Sequence, residues 1–457
     1  MSEIDLLPET RRALLHRLAT GQVEGRAPSV VAAILRGGRP VWTQGWGSVD
    51  GVTPGNDVQY RIGSISKTFV AVLVLRLRDA GRLALTDPLE RHLPGTAAGD
   101  VTVGELLAHT SGLAAETPAP WWERSPGAVR PEIADILGAD PRKHPAGRRF
   151  HYSNAGYGLL GALVGRLHGE PWFDVLRRDV LEPLGLTRTS LMPQAPHAHG
   201  WAVHPWADVL LPEPAEDAEL LAPAGQLWST IADLGRFATF LLHGDDRVLS
   251  ADSVAEMREP ACPPEAISWN SGYGYGTQLL RHQDRLLSGH TGSMPGFVST
   301  VWTSPEEDLA VVVLANTTAG LSVGGLAAEL LTIVADREPR IPAPWQPLPE
   351  LDPELLALAG PWYWGPAPLL LKVRPGGLLE LGGLRGGGRG AKLRPTGPDT
   401  WIGLSGYYHG ETLRAVRDDA GQVTHLDLGS FVLTRRPYDP PAVIPGHVDP
   451  AGWRGQS

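Results

Sequence analysis

The strongest constraint on this 457-residue chain is a pair of β-hairpin patterns placed at the two ends of one long stretch. Residues 29–36 (SVVAAILR) and 40–49 (PVWTQGWGSV) flank Gly37-Gly38-Arg39. Far downstream, 297–303 and 309–315 flank Ser304-Pro305-Glu306-Glu307-Asp308. Apolar and β-branched runs joined by short turn clusters read as paired strands. Between the two hairpins the pattern is helical, over 65–80, 102–108, 155–168, 172–181, 230–243 and 250–258, and a further helix is predicted at about 321–336. Strands at both ends with helices between predict one antiparallel sheet assembled from both ends of a domain, with the helical insert packed on it. The expected fold class is therefore α/β, an αβα sandwich with a central antiparallel sheet.

A change of composition divides the chain. The first domain is expected over 1–337. Residues 338–352 are Pro-rich and aperiodic, as in a semi-rigid linker. From 353 to 439 short apolar runs (LLLKV, GLLEL, AKLRP, TWIGL, TLRAV, VTHLDL and FVLTR) recur between turns, which predicts a small antiparallel barrel of roughly eight strands. Residues 440–457 read as a Pro/Gly-rich tail.

Charge and cysteine usage narrow the function. A net charge of −10 argues against a general nucleic-acid binder. The longest apolar run, Phe69 to Leu75, is far short of the ~20 residues of a membrane span. The single cysteine, Cys262, excludes an internal disulfide framework and a cysteine-based zinc site. The N-terminal segment lacks the basic and apolar regions of a signal peptide, so a cytoplasmic location is expected. Of 40 basic residues only Lys67, Lys143, Lys372 and Lys392 are lysines. A chain with this bias places a lysine where geometry or titration requires one, because arginine stays protonated.

One lysine stands in Ser64-Ile-Ser-Lys67, at the start of the apolar helix FVAVLVLRL. Residues i and i+3 share a helix face, so the amine can reach the hydroxyl. Desolvation by that helix lowers the lysine pKa and makes a neutral base available. The helix N-terminus offers N–H groups to a developing oxyanion. Alone, the motif also describes a capping serine beside a solvated lysine. Tyr152-Ser-Asn154 sits in a loop before the next helical pattern, where a tyrosine near a lysine can act as acid and then base. Asn154 can hold both a lysine and a substrate amide. His290-Thr-Gly292 precedes the second hairpin, where an edge strand of small residues would admit an extended substrate. Taken singly, the last two also describe a packed loop tyrosine and a surface histidine.

In this order and spacing the three motifs resemble the serine penicillin-recognising family: class C β-lactamases, DD-peptidases, and their esterase and D-aminopeptidase relatives. The resemblance covers about residues 8–336 and includes Leu106-Leu-Ala-His-Thr-Ser-Gly-Leu113 and Pro223-Ala-Gly-Gln-Leu-Trp-Ser229. It implies Ser64 as the nucleophile, Lys67 as its base and Tyr152 as the proton donor to the leaving group. The implied oxyanion hole is the N–H groups of Ser64 and Ser293, with Gly225 bordering the acyl pocket and His109 packed rather than catalytic. Lysine usually opens the third motif in β-lactamases and DD-peptidases. His290 there is a weaker anion anchor near neutrality and is similar to the esterase, D-aminopeptidase and thioesterase branches.

The His-Thr-Gly motif, the absent signal peptide and the appended lipocalin-like barrel are most similar to penicillin-binding-protein-type thioesterases, which release nonribosomal peptides. That implies a small-molecule or peptidyl thioester substrate, which a carrier protein can present, with no cofactor, no metal, no nucleic acid and no membrane. Release would proceed by macrocyclisation or hydrolysis. The alternatives are a cytoplasmic esterase, a D-stereospecific amidase or aminopeptidase, a non-enzymatic binding protein on the same fold and, less favoured, a β-lactamase or DD-peptidase. Arg435 and Arg436, near the last barrel strand, are either surface charges or ligands for a substrate carboxylate or carbonyl. His197, His199 and His204 lack an accompanying carboxylate pattern for a metal. Arg385-Gly-Gly-Gly-Arg-Gly390 reads as a hairpin loop, and Trp121-Trp122 as packing or as the wall of an aromatic cleft.

Overall fold

A computed structural model of the chain describes residues 6–118, 120–125, 131–262, 270–350, 352–384 and 389–438. The expected tail at 440–457 and residues 385–388 of the glycine-rich loop lie outside these. The chain forms two compact units, Met1–Ile341 and Pro342–Ser457.

The first unit is built on a seven-stranded antiparallel sheet. Its strand order is Arg39–Gly47, Ser29–Arg36, Leu309–Ala315, Phe297–Ser304, Arg285–Met294, Gln278–His282 and Ser271–Tyr273. The two ends of the domain meet where Val30 pairs with Ala315 and Ile34 with Val311. Side chains alternate across a strand, and here both faces are buried. Val31, Ala33 and Leu35 enter one core with Ala310, Val312 and Leu314. Val30, Ala32 and Ile34 enter the other with Val311, Val313 and the helix Val323–Arg337. This explains why these strands read as continuous apolar runs rather than alternating ones. Gly37 and Gly38 both take positive φ, 57° and 73°, which a two-residue hairpin turn needs and which glycine adopts without strain.

On one face of the sheet lies the helix Ile65–Asp79, with twelve of its fifteen residues buried. A helix that is apolar nearly all round belongs inside a core, and Phe69 stacks on Phe237 of the helix Ile231–His243 at 3.7 Å between ring centroids. The other face is covered by Pro8–Glu24 and Val323–Arg337.

Sequence patterning missed several features of this sheet. Ser271–Tyr273 and Gln278–His282 are strands. His290 lies inside the strand Arg285–Met294 rather than ahead of one. That strand is internal to the sheet rather than an edge. Its outer neighbour pairs with it only from Arg285 to Gly289, so the flank from His290 onward has no strand partner there.

The second unit is a closed antiparallel barrel of eight strands, from Gly360–Trp364 to Phe431–Thr434. The helix Pro353–Leu358, capped by the Asp352 side chain, leads into it. Trp362, Leu371, Leu379, Leu393, Leu413, Leu426 and Leu433 fill the interior. The first strand, GPWYW and rich in aromatics, is the one the sequence runs did not mark.

Candidate active site

Ser64 is the N-cap of the central helix, with helical φ and ψ of −64° and −7°. Its hydroxyl makes no capping bond and is left for other work. One turn on, the Lys67 side chain is fully buried. Its Nζ lies 3.0 Å from Ser64 Oγ, 2.7 Å from Asn154 Oδ1 and 2.5 Å from the Ala224 carbonyl oxygen. Burial pulls the amine down to about 7 from an ordinary 10.5, opposed by the charges of Glu116 and Glu123. A neutral amine has two N–H bonds and one lone pair. The carbonyl and the amide oxygen only accept, so they take the two N–H bonds, and the lone pair faces the one neighbour that can donate, the Ser64 hydroxyl.

Tyr152 stands beside this pair, with Lys67 Nζ 4.8 Å from its ring centroid. Burial raises its phenol above the ordinary 10, and hydrogen bonding with the Ser64 side chain offsets part of the rise. The phenol therefore keeps its proton near neutrality while the amine titrates. Of the two groups, Lys67 is suited to be the base and Tyr152 the acid.

The Tyr152 loop is held by the segment after the helix Val103–Leu107. The His109 carbonyl accepts from His151 N–H at 2.8 Å, and His109 Nδ1 accepts from Ser153 N–H at 3.0 Å. The His109 ring also lies 4.1 Å from the Tyr152 ring centroid. One residue thus brackets the tyrosine on both sides. Its burial keeps its imidazole neutral, well below the ordinary 6.5. Further along, Ala114 accepts from Ser153 Oγ and Ala115 from Asn154 N–H, at 2.7 and 2.9 Å.

His290 is buried, and its pKa is pushed down to about 3, by desolvation first and by Lys67 second. Its Nδ1 is 2.5 Å from the Thr291 carbonyl and its Nε2 is 2.9 Å from Tyr273 Oη. The carbonyl can only accept, so Nδ1 carries the hydrogen and Tyr273 donates to Nε2. His290 is thus a neutral group with both ring nitrogens engaged, and its ring centroid is 6.3 Å from that of Tyr152.

Two glycines let this strand approach the nucleophile. A Cβ on Gly63, whose φ is +53°, would fall 2.4 Å from Ser293 N, and one on Gly292 would fall 2.0 Å from the Ile62 carbonyl oxygen. Only bare backbone fits there, and the fit sets Ser293 N–H close to the start of the Ser64 helix. Gly225 closes the short helix Ala222–Gly225, with Gly63 and Met294 against it. Ser64, Lys67, Tyr152, Asn154, Gly225, His290 and Ser293 are therefore gathered at one place.

Arg435 belongs to the barrel. Its guanidinium donates to the Ala359 and Pro361 carbonyls at 3.1 and 3.2 Å, and also to Ala357, while it lies 3.9 Å from the Trp362 ring centroid. His197 and His199 pack ring to ring, with His197 also against Trp228. Trp121 is exposed, whereas Trp122 is nearly buried and donates from Nε1 to Glu116 Oε2 at 2.8 Å. Sequence reasoning did not reach Glu116, Tyr273 or the Ala224 carbonyl. An isolated carboxylate, a loop tyrosine and a backbone oxygen carry no spacing signal.

The fold and this constellation are those of a serine hydrolase. More narrowly, the chain belongs to the beta-lactamase family: the model described as "Beta-lactamase" matches residues 14–336, and a "Domain of unknown function (DUF7586)" matches 351–435. Penicillin-binding protein 4 of Amycolatopsis lactamdurans is 31% identical over 302 residues, covering 62% of this chain and 76% of its own. Among solved structures, D-amino acid amidase from Ochrobactrum anthropi SV3, complexed with L-phenylalanine amide, is 25% identical with a TM-score of 0.63. That match covers 72% of this chain and 99% of the amidase. SurE, solved with D-Leu, is 25% identical with a TM-score of 0.58 over 94% of this chain and 100% of its own. Among the described residues no helix is long and apolar enough to cross a membrane.

Proposed function

We propose that this serine hydrolase forms an acyl-enzyme at Ser64 and releases a peptide from a peptidyl thioester or ester. Lys67, as the neutral amine, takes the Ser64 proton while Oγ bonds to the acyl carbon. The N–H groups of Ser64 and Ser293 hold the oxyanion, and each such donor contributes about 3 kcal/mol in sites of this type. The C–S or C–O bond then breaks, and Tyr152 protonates the departing thiol or alcohol. In the second half an amine of the peptide, or water, attacks. Tyr152, deprotonated in the first half, takes a proton from the attacking amine or water as the new C–N or C–O bond forms; the acyl–Ser64 bond breaks and protonated Lys67 returns its proton to Ser64 Oγ.

The observation that carries this reading is the Lys67 amine, with two pure acceptors on its N–H bonds and the nucleophile on its lone pair. Two features favour a peptidyl substrate. The likeness to SurE extends through 94% of the chain, and that protein was solved with a D-amino acid. The neutral His290 supplies no cation for a carboxylate beside the scissile bond, which disfavours β-lactam and DD-peptidase substrates. On this reading the donor is presented on a carrier protein in the cytoplasm. A stand-alone D-stereospecific amidase or esterase is the second reading, favoured by the amidase likeness over the first unit.

The test is a panel of peptidyl N-acetylcysteamine thioesters ending in D- or L-residues, followed by mass spectrometry. Cyclic peptide together with free thiol supports release by an amine and linear acid supports release by water, while turnover of D-amino acid amides or simple esters with none of the peptidyl thioesters supports the second reading. Ser64→Ala should lower turnover by at least about 10³-fold, and near-normal turnover in that variant would remove both readings.

A further inference from the structure

The orientation of the Lys67 lone pair depends on an amide that could sit either way round. Asn154 presents Oδ1 to Lys67 Nζ at 2.7 Å and Nδ2 to Glu116 Oε1 at 2.7 Å. Were the amide reversed, its NH2 would face the amine. The lone pair would then be drawn to Asn154 instead of Ser64. What prevents reversal lies on the far side. A carboxylate accepts and never donates, so only NH2 can face Glu116. The other Glu116 oxygen accepts from Trp122 Nε1 at 2.8 Å, which fixes the carboxylate in turn.

We propose that Glu116 is a positioning residue: its two oxygens, held by Trp122 and Asn154, lock the asparagine amide so that Lys67 can take a proton only from Ser64. This rests on the acyl-enzyme reading above and adds a residue that none of the three motifs contains. Glu116 also acts through its charge. The groups facing Lys67 are Glu116 from the loop and Glu123 from the single helical turn Trp122–Arg124, Tyr152 and Tyr157 through their rings, and His109 and His290, both neutral. The two carboxylates are the anions of that set. They favour the ammonium form, so removing either one lowers the pH at which Lys67 becomes neutral.

Charge and orientation can be separated by three variants, read as the pH profile of kcat/KM on a p-nitrophenyl ester. Glu123→Gln removes an anion that does not touch Asn154. It should move the acid limb to lower pH by about half a unit and leave the plateau within about twofold. Glu116→Gln removes both the anion and the lock, because its amide cannot accept from Asn154 and Trp122 with the same certainty. Its acid limb should move lower by about one unit, and its plateau should fall by about tenfold to a hundredfold. Trp122→Phe keeps the charge and frees one oxygen; its limb should stay and its plateau should drop several-fold. Thermal melts and far-UV circular dichroism confirm that each variant is folded. The proposal is overturned if Glu116→Gln only repeats the profile of Glu123→Gln, or matches the parent enzyme. In either case Ser64→Ala still reports separately on the acyl-enzyme.

Discussion

The two units bury different things. Inside the first lie Lys67, Arg61, His109, His290 and Asn154, polar or ionisable side chains at 8% exposure or less. Inside the barrel the lining is Leu, Ala, Trp and Tyr, and among its described residues His425 is the one other buried polar side chain. Burying an ionisable group opposes folding unless it is paired, whereas burying leucine favours it at ~25 cal/mol per Å². The contrast separates residues chosen by chemistry from residues chosen by stability. Arg61, three residues before the nucleophile, shows the cost: burial pulls its guanidinium down to about 10.

The comparison is broken most directly at Lys67. Lys67→Met keeps the volume and removes the base, so Ser64 acylation should fall by more than about 10³-fold in stopped-flow or labelling assays. In the parent enzyme kcat/KM should rise about tenfold per pH unit up to about pH 7 and level off above it, since the neutral amine is the active form. Stability should follow the same proton. Folded Lys67 titrates near 7 and the unfolded side chain near 10.5. Between those values the unfolded chain binds the extra proton, so stability gains about 1 kcal/mol per pH unit as pH rises. Below the lower value this slope vanishes. Urea titrations from pH 7 to 9.5 should show the gain in the parent and a flatter line in Lys67→Met. Parallel lines would mean that Lys67 is not desolvated.

A smaller effect is expected from the opposite kind of residue. Leu393 is fully buried in the barrel, and Leu393→Ala should destabilise it by about 3 kcal/mol. Differential scanning calorimetry should show the barrel transition lowered. Below that transition, fluorophosphonate labelling of Ser64 should proceed at the parent rate. Loss of labelling there would refute the division of roles between the units.

How much of this was readable in the sequence follows the same division. The central strands were legible because both of their faces are buried, which leaves unbroken apolar runs. Ser64 and Lys67 were legible because helical spacing ties them together. The strand carrying His290 was not, since RLLSGHTGSM is rich in Gly, Ser and Thr and weak in strand propensity. Its extended form comes from pairing, with His290 opposite Val301 and Gly292 opposite Ser299. Ser271–Tyr273 and Gln278–His282 are short strands added onto that one. Glu116 was invisible for another reason. Its importance lies in which atom of Asn154 it leaves facing Lys67, and only three-dimensional contact decides that.

Arg435 gives the smallest and most discriminating test, because the sequence left it open between a ligand for substrate and a surface charge. Its guanidinium bridges the Ala357, Ala359 and Pro361 carbonyls where the entry helix turns into the first barrel strand, and it covers the Trp362 ring. Burial lowers its pKa, the mark of a side chain partly withdrawn from water. Hydrogen bonds from a charged donor contribute about 1.5–3 kcal/mol, less here because the group is partly exposed to solvent. Arg435→Met retains the stacking chain and loses the donors. It should therefore lower barrel stability by about 1 kcal/mol, seen as a small shift of the calorimetric transition, with KM and product distribution on peptidyl thioesters unchanged. A rise in KM with an unmoved transition would reverse the assignment and make Arg435 a substrate ligand.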